Sequence, residues 1–295
     1  MAGTRQRHGP RVRTVAVVCV TALVVLSGCT GLGGGGSTPA GTEDGQSGPG
    51  GSTGSAPSSA AAPESGSRTA AAALAPGLTA DGVSDPLALV NAHTAVLRSD
   101  PFTVRYELRR DGDDYNVTQR LSGEVDLNGT VRARAVQWVN TTGSAPAVYE
   151  NRSGRTDTWR DGGTVFHRAV ENGSATYDRV LAMNASLSPN LLTQRRDLAE
   201  YLSNVEDQTV TEVTRDGETY YRLAGSFQKP YRNGPTNVTA YVAPSGLVAE
   251  LVVEEAGAER VGPSVLRVTY EDPGETTVER PEWVSAARAA TNGTA

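Results

Sequence analysis

Apolar and polar residues alternate through most of positions 83–288, and two stretches replace that rhythm with a helical one. The first is opened by Asp85-Pro86, an aspartate cap followed by proline at the first helical position. Leu87, Val90, Thr94 and Leu97 fall on one stripe of this predicted helix, with Ala88 and Ala95 beside it. It stops before Asp100-Pro101, because a residue ahead of proline avoids the helical region. Phe102, Val104, Tyr106 and Leu108 then alternate with Thr103, Arg105, Glu107 and Arg109, which predicts a strand with one buried and one wet face. Asp111-Gly112 predicts a turn, and Tyr115, Val117, Leu121, Val125 and Leu127 continue on a second strand. Asn128-Gly129 is a hairpin signal, since both residues accept positive φ, and Val131, Ala133 and Ala135 follow it as far as Trp138. Turns at Ser153-Gly154, Asp161-Gly162-Gly163 and Asn172-Gly173 set off strands around Val148-Tyr149, residues 156–159 and residues 165–170.

Ser188-Pro189 opens the second helix by the same cap-plus-proline logic. Leu191, Leu192, Leu198, Tyr201 and Leu202 supply its apolar face, and Gln194, Arg195, Arg196 and Asp197 its wet one. Strands resume at residues 210–214, 220–223, 238–242, 247–253 and 265–270, with turns at Asp216-Gly217 and Pro244-Ser245-Gly246. Pro281 starts a short last helix through Trp283 and Val284. The predicted fold class is α+β, a curled antiparallel sheet packed on two to three helices.

The N-terminal stretch follows different rules. Arg5, Arg7, Arg11 and Arg13 precede an apolar run from Val15 to Leu26. A positive head and a short apolar run make an export signal, and the run is shorter than the ~20 residues a membrane span needs. It ends in Leu26-Ser27-Gly28-Cys29, which resembles the lipobox of bacterial and archaeal lipoproteins. That resemblance implies cleavage before Cys29 and lipidation of its thiol. Two lipid chains on one cysteine hold a membrane stably where one does not. An ordinary secretory signal with an incidental cysteine is the alternative. Arginines of the twin-arginine type are not adjacent, since Val12 separates Arg11 from Arg13, which favours the general secretion route.

From Thr30 to about Gly82 the chain is mostly Gly, Ser, Thr, Ala and Pro, and such composition buries too little apolar surface to offset ordering entropy. A coil of that length spans roughly 40 Å. The Ala70–Leu74 run is a possible short helix within it. The expected organisation is thus a signal at 1–28, a lipidated cysteine and tether at 29–82, a folded domain at 83–288 and a frayed tail at 289–295.

Helix, strands, helix, more strands is also the order of elements in the half-barrel lipid carriers of the LolA, LppX and LprG type, which the chain resembles from Asp85 to Glu279. The resemblance implies an antiparallel sheet curled around helices, with an apolar ligand between them.

Charge and composition narrow the function classes. Loss of residues 1–28 removes four arginines and no acid, taking the formal net charge from −6 to −10. A nucleic-acid partner needs a basic surface and is not expected. Lys229 is the one lysine of the chain. Arginine-for-lysine usage with an acidic surplus resembles secreted proteins of salt-loving archaea; a high-GC genome is the other source of such usage. Of the cysteines, Cys19 leaves with the signal and Cys29 is taken by lipid, so no disulfide is available to the domain.

Asn-x-Ser/Thr occurs at Asn116, Asn128, Asn140, Asn151, Asn172, Asn184, Asn237 and Asn292, eight of twelve asparagines where composition alone gives roughly two. Each lies near a predicted turn, strand edge or tail, as a glycan acceptor must. The competing explanation is that Asn and Thr both favour such places.

Chemistry is harder to find. His93 and His167 have no metal-ligand spacing, and no nucleophile elbow, phosphate loop or H-E-x-x-H motif occurs. Asp111, Asp113 and Asp114 lack the remaining ligands of a calcium loop and are read as a hairpin turn. Glu254-Glu255 is read as a solvated edge, and Trp138, Trp159 and Phe166 as core before ligand wall. No catalytic residue, metal or cofactor is implied. The expected protein is an extracytoplasmic lipoprotein on the outer face of the cytoplasmic membrane. It binds an apolar or amphiphilic molecule against Val104, Tyr106, Val117, Leu121, Leu192 and Leu198. The alternative is a structural or interaction glycoprotein of the cell surface with no ligand.

Overall fold

Asp85 caps the first helix as expected: its carboxylate accepts from the Ala88 N–H at 3.0 Å, and Pro86 follows. The computed structural model describes residues 72–143, 153–171, 173–181, 192–230, 232–258 and 261–292. A small three-stranded sheet comes first, β1 (Ala73–Ala75), β2 (Leu78–Thr79) and β3 (Gly82–Val83). Helix α1 (Pro86–Ser99) leads into β4 (Phe102–Asp111), β5 (Tyr115–Val125), β6 (Val131–Thr141), β7 (Gly154–Asp161), β8 (Thr164–Glu171) and β9 (Ser174–Leu181). Helix α2 (Arg195–Asn204) leads into β10 (Glu206–Arg215), β11 (Glu218–Phe227), β12 (Thr236–Val242), β13 (Val248–Glu255) and β14 (Ser264–Glu271), and α3 (Trp283–Thr291) ends the described chain.

Each helix is followed by a run of antiparallel hairpins, and the two runs join where β14 pairs with β4. The result is one eleven-stranded antiparallel sheet, ordered β10-β11-β12-β13-β14-β4-β5-β6-β7-β8-β9. The α+β class is therefore as the residue pattern predicts. Period-two alternation sends Phe102, Val104, Tyr106 and Leu108 of β4 to one face and Thr103, Arg105, Glu107 and Arg109 to the other. The first face, called inner here, is the one on which α1 and α2 lie. His93 of α1 meets Tyr270 of β14 edge to face at 4.8 Å between centroids, and Tyr201 of α2 packs near Phe227 of β11. Helix α3 lies on the opposite, outer face, over Trp159, Phe166 and Tyr177.

The sheet is open, with β10 and β9 as its end strands. Edge strands invite pairing with other chains. At the β10 edge the small sheet intervenes: the Val83 N–H donates to Gln208 Oε1 at 2.6 Å.

Several expectations need correction. The segment from Ala73 to Val83 was assigned to the tether by composition, with a helix at its start; it forms β1–β3 instead. Leu87 is 59% exposed, and the buried stripe of α1 is Leu89, Val90, His93, Thr94 and Leu97. Leu127 does not continue β5 but is exposed in the following loop, where Asp126 Oδ1 accepts from the N–H groups of Asn128 and Thr130. Gly129 alone takes positive φ there. Gln194, predicted wet, is buried, and its left-handed φ of 49° ends any continuous helix from Ser188-Pro189; α2 begins at Arg195. The start at Ser188-Pro189, Leu191 and the strand at Val148-Tyr149 lie outside the described residues. Helix α3 runs through Thr291, into the stretch expected to fray.

Candidate functional site

The inner face changes character along one row of directly opposed residues. From β11 to β5 the row reads Leu223, Ala240, Leu251, Val268, Tyr106 and Leu121. From β6 to β9 it reads Ala135, Thr156, Ala169 and Thr176. Residues opposite one another share a face, so large apolar side chains give way to small ones while the backbone sheet continues. The large members are buried; Ala135, Thr156 and Ala169 are only partly covered. Gln119 and Gln137 stand beside this boundary, joined by a 2.6 Å hydrogen bond from Gln119 Nε2 to Gln137 Oε1. Gln119 Oε1 is buried and has no hydrogen-bond partner among the described residues.

The six residues predicted to contact a ligand all face this interior. Val104 (2% exposed), Tyr106 (5%), Val117 (0%) and Leu121 (7%) come from β4 and β5, and Leu192 and Leu198 (1% each) from the helix side. Two strands and the segment before α2 meet at Gly123: a Cβ built there lies 3.2 Å from Val104 Cγ1 and 3.3 Å from Leu192 Cδ1. Glycine at that point lets Leu192 approach the sheet. Leu192 is fixed a second way, since the Tyr270 hydroxyl donates to its carbonyl at 3.1 Å.

His93 ties the helices to the sheet. The Val248 N–H donates to its Nδ1 at 3.2 Å, which leaves Nε2 to carry the proton and donate to the Thr193 carbonyl at 3.0 Å. Burial pushes its pKa down to about 4, against a smaller upward effect of the Thr193 carbonyl. A cleft of about 660 Å³ opens beside it, lined among the described residues by Asn91, Thr94, Ala95, Arg98, Thr193 and Arg195. None of these was singled out from the sequence. The available signal was the spacing of Asn91, Thr94, Ala95 and Arg98, which puts them on one face of α1.

A second polar centre lies where α2 leaves the inner face. Glu255, predicted to be a solvated edge, is buried; Lys229 Nζ donates to it at 2.7 Å and Arg232 Nη2 at 2.9 Å. The ammonium of Lys229 also lies over the rings of Tyr201 and Phe227, at 4.8 and 5.8 Å from their centroids. A compact point charge suits that box better than a planar guanidinium.

The outer face is charged and paired. Arg105–Glu271 (2.6 Å), Arg132–Glu124 (3.1 Å) and Arg215–Glu250 (2.6 Å) bridge neighbouring strands. Asp157 is buried under Arg134, Arg155 and Arg168. Burial opposes its ionisation, but hydrogen bonds from Arg155 and Arg134 prevail and hold its carboxyl below the ordinary value. Trp159 and Phe166 are buried under α3, on the face opposite α1 and α2, so they are core and not part of the inner wall. Trp138 is 47% exposed, with the Arg120 guanidinium 5.5 Å from its ring centre.

Asn116, Asn128, Asn140, Asn237 and Asn292 are exposed. Asn116 and Asn140 oppose each other across β5 and β6, and these two and Asn237 point to the outer face. Asn151, Asn172, Asn184 and Cys29 lie outside the described residues. Among the described residues no helix is long and apolar enough to cross a membrane.

No protein-family model matches the sequence, and no curated protein matches it. Several solved structures are similar to the chain. LprF from Mycobacterium bovis is 12% identical over 66% of this chain and 96% of its own, with a TM-score of 0.39. The MucA/MucB complex of Pseudomonas aeruginosa matches at 16% identity over 66% of this chain and 59% of that one, TM-score 0.33. A LolA superfamily protein from Nitrosomonas europaea is 12% identical over 65% of this chain and 93% of its own, TM-score 0.26.

Proposed function

We propose that this chain is an exported lipoprotein, held on the outer face of the cytoplasmic membrane through lipidated Cys29, whose domain binds an apolar or amphiphilic molecule between the sheet and α1 and α2. It performs no covalent chemistry. The observation that carries the reading is the inner-face row: one apolar surface runs from beneath the helices onto a trough of small, half-covered residues at Ala135, Thr156 and Ala169. Large side chains fill the space under a helix; small ones leave room for a chain that is not the protein's own. Val104, Tyr106, Val117, Leu121, Leu192 and Leu198 form the bordering wall. The unpartnered Gln119 Oε1 offers an acceptor to a ligand hydroxyl or amide. The exposed sequon asparagines support glycosylation at Asn116, Asn128, Asn140, Asn237 and Asn292, with Asn151, Asn172 and Asn184 as further acceptors. Glycans on the strand-borne sites would coat the outer face and leave the helix-bearing side clear.

Filling the trough tests the reading. The variant A135L/A169L should weaken uptake of an uncharged solvatochromic dye by about tenfold, as lost pocket volume does in apolar sites. Unchanged uptake in a folded variant would refute it. The second reading, a cell-surface glycoprotein with no ligand, draws on the near-complete burial of the six wall residues, as in a solid core. It predicts no dye uptake in either form.

A further inference from the structure

Asn91, Thr94, Ala95 and Arg98 present one stripe of α1 to Thr193 and Arg195 at the entry to α2, and the space between is the cleft of about 660 Å³. Its chemistry departs from the rest of the surface. On the outer face arginines are matched to carboxylates, as in Arg105–Glu271 and Arg215–Glu250. The described cleft lining holds two guanidinium groups and no acid. Arg195 Nη2 donates instead to a neutral amide, Asn91 Oδ1, at 3.1 Å. In an acidic protein this leaves a local positive field inside a concavity, where low-dielectric walls strengthen it.

The position of the cleft matters as much as its charge. Thr94 and Thr193 on its floor are 4% and 3% exposed. Thr193 follows Leu192, whose side chain reaches Val104 and Gly123 on the inner face. The cationic cleft and the apolar interior are thus one residue apart along the chain. We propose that this cleft receives the anionic head group, a phosphate or a carboxylate, of the amphiphile whose apolar part lies against the inner face. Arg98 and Arg195 are its donors, and Asn91 holds the Arg195 fork in place. Guanidinium groups suit this task because their paired N–H groups match the oxygens of either anion. The inference rests on the inner face being a ligand site.

The test uses the full chain and calorimetric titration with dodecyl phosphate and dodecanol, both kept below self-association, and with inorganic phosphate. Dodecyl phosphate should bind about tenfold tighter than dodecanol, the size of a charge-assisted contact. In R98Q/R195Q that advantage should vanish while dodecanol binding stays. Both side chains are on the surface, and R195Q alone gives the same reading should the double variant not fold. Equal affinity for the two amphiphiles in the unmodified chain would overturn the head-group site and leave the apolar reading standing. A preference that survives R98Q/R195Q would overturn its assignment to this cleft. If neither amphiphile binds but inorganic phosphate does, and R98Q/R195Q abolishes it, the site takes a free anion and the apolar reading falls. No binding of any probe would overturn both.

Discussion

His93 accepts a hydrogen bond from β13 and donates one to the segment before α2, so only its neutral form satisfies both partners. A proton on Nδ1 would face the Val248 N–H. The folded state resists protonation down to about pH 4, while the unfolded chain takes up its proton near 6.5. Stability from this group is therefore full above 6.5 and falls as the pH drops from 6.5 to 4, by at most about 3 kcal/mol. Thermal melts of the unmodified chain and of H93Q should differ in slope across that interval, the variant being less stable at pH 7.5 and less pH-dependent below. Parallel slopes would show that His93 does not carry the linkage. Nothing in the sequence distinguished this histidine from a packing residue, because both its partners are backbone groups remote in the chain. Glu255 was misread for a related reason: beside Glu254 it looks like a solvated pair, yet alternation turns it inward, where Lys229 and Arg232 neutralise it.

At the scale of elements, α2 is held at both ends by features that no local pattern displays. Its start is displaced to Arg195 by the left-handed Gln194, a conformation imposed by packing and not by propensity. Its exit passes over Gly225, where a Cβ would stand 2.6 Å from the Glu206 carbonyl oxygen and 2.6 Å from Val205 Cγ1. Gly225→Ala should cost about 1–3 kcal/mol in urea unfolding, since the close atom is backbone and has little room to yield. An unchanged midpoint would mean that the corner relaxes freely. Glu255→Gln should cost up to about 3 kcal/mol by leaving Lys229 and Arg232 without their carboxylate, and more than Lys229→Met, which leaves the Arg232 pair intact. The reverse order would contradict the pairing. Strands with strict alternation, such as β4 and β5, were legible because one face is buried and the other wet. Strand β9 was not: Ser174–Leu181 sits at the sheet edge with mostly exposed residues, and burial no longer imposes the period. β1–β3 were hidden by small residues that composition assigns to a coil.

For the whole molecule, helix followed by strands, twice over, was readable from turn residues and apolar periods. The pairing of β14 with β4 was not, because it joins segments more than 150 residues apart. The candidate site was legible on one side only. The apolar wall follows from alternation, whereas the small-residue trough and the cleft between α1 and α2 exist only once register and helix placement are known. If Cys29 carries the anchor, Cys29→Ser should release the chain from the membrane fraction or leave its precursor uncut; unchanged processing and retention would contradict the anchor without touching the binding site. The binding claim itself is tested most directly by purifying the chain from its own membrane without added lipid, extracting it with organic solvent and analysing the extract by mass spectrometry. The account predicts about one non-covalently held apolar or amphiphilic molecule per chain, lost in A135L/A169L. An extract containing no such molecule, from a chain that also fails to take up added amphiphile, would contradict it.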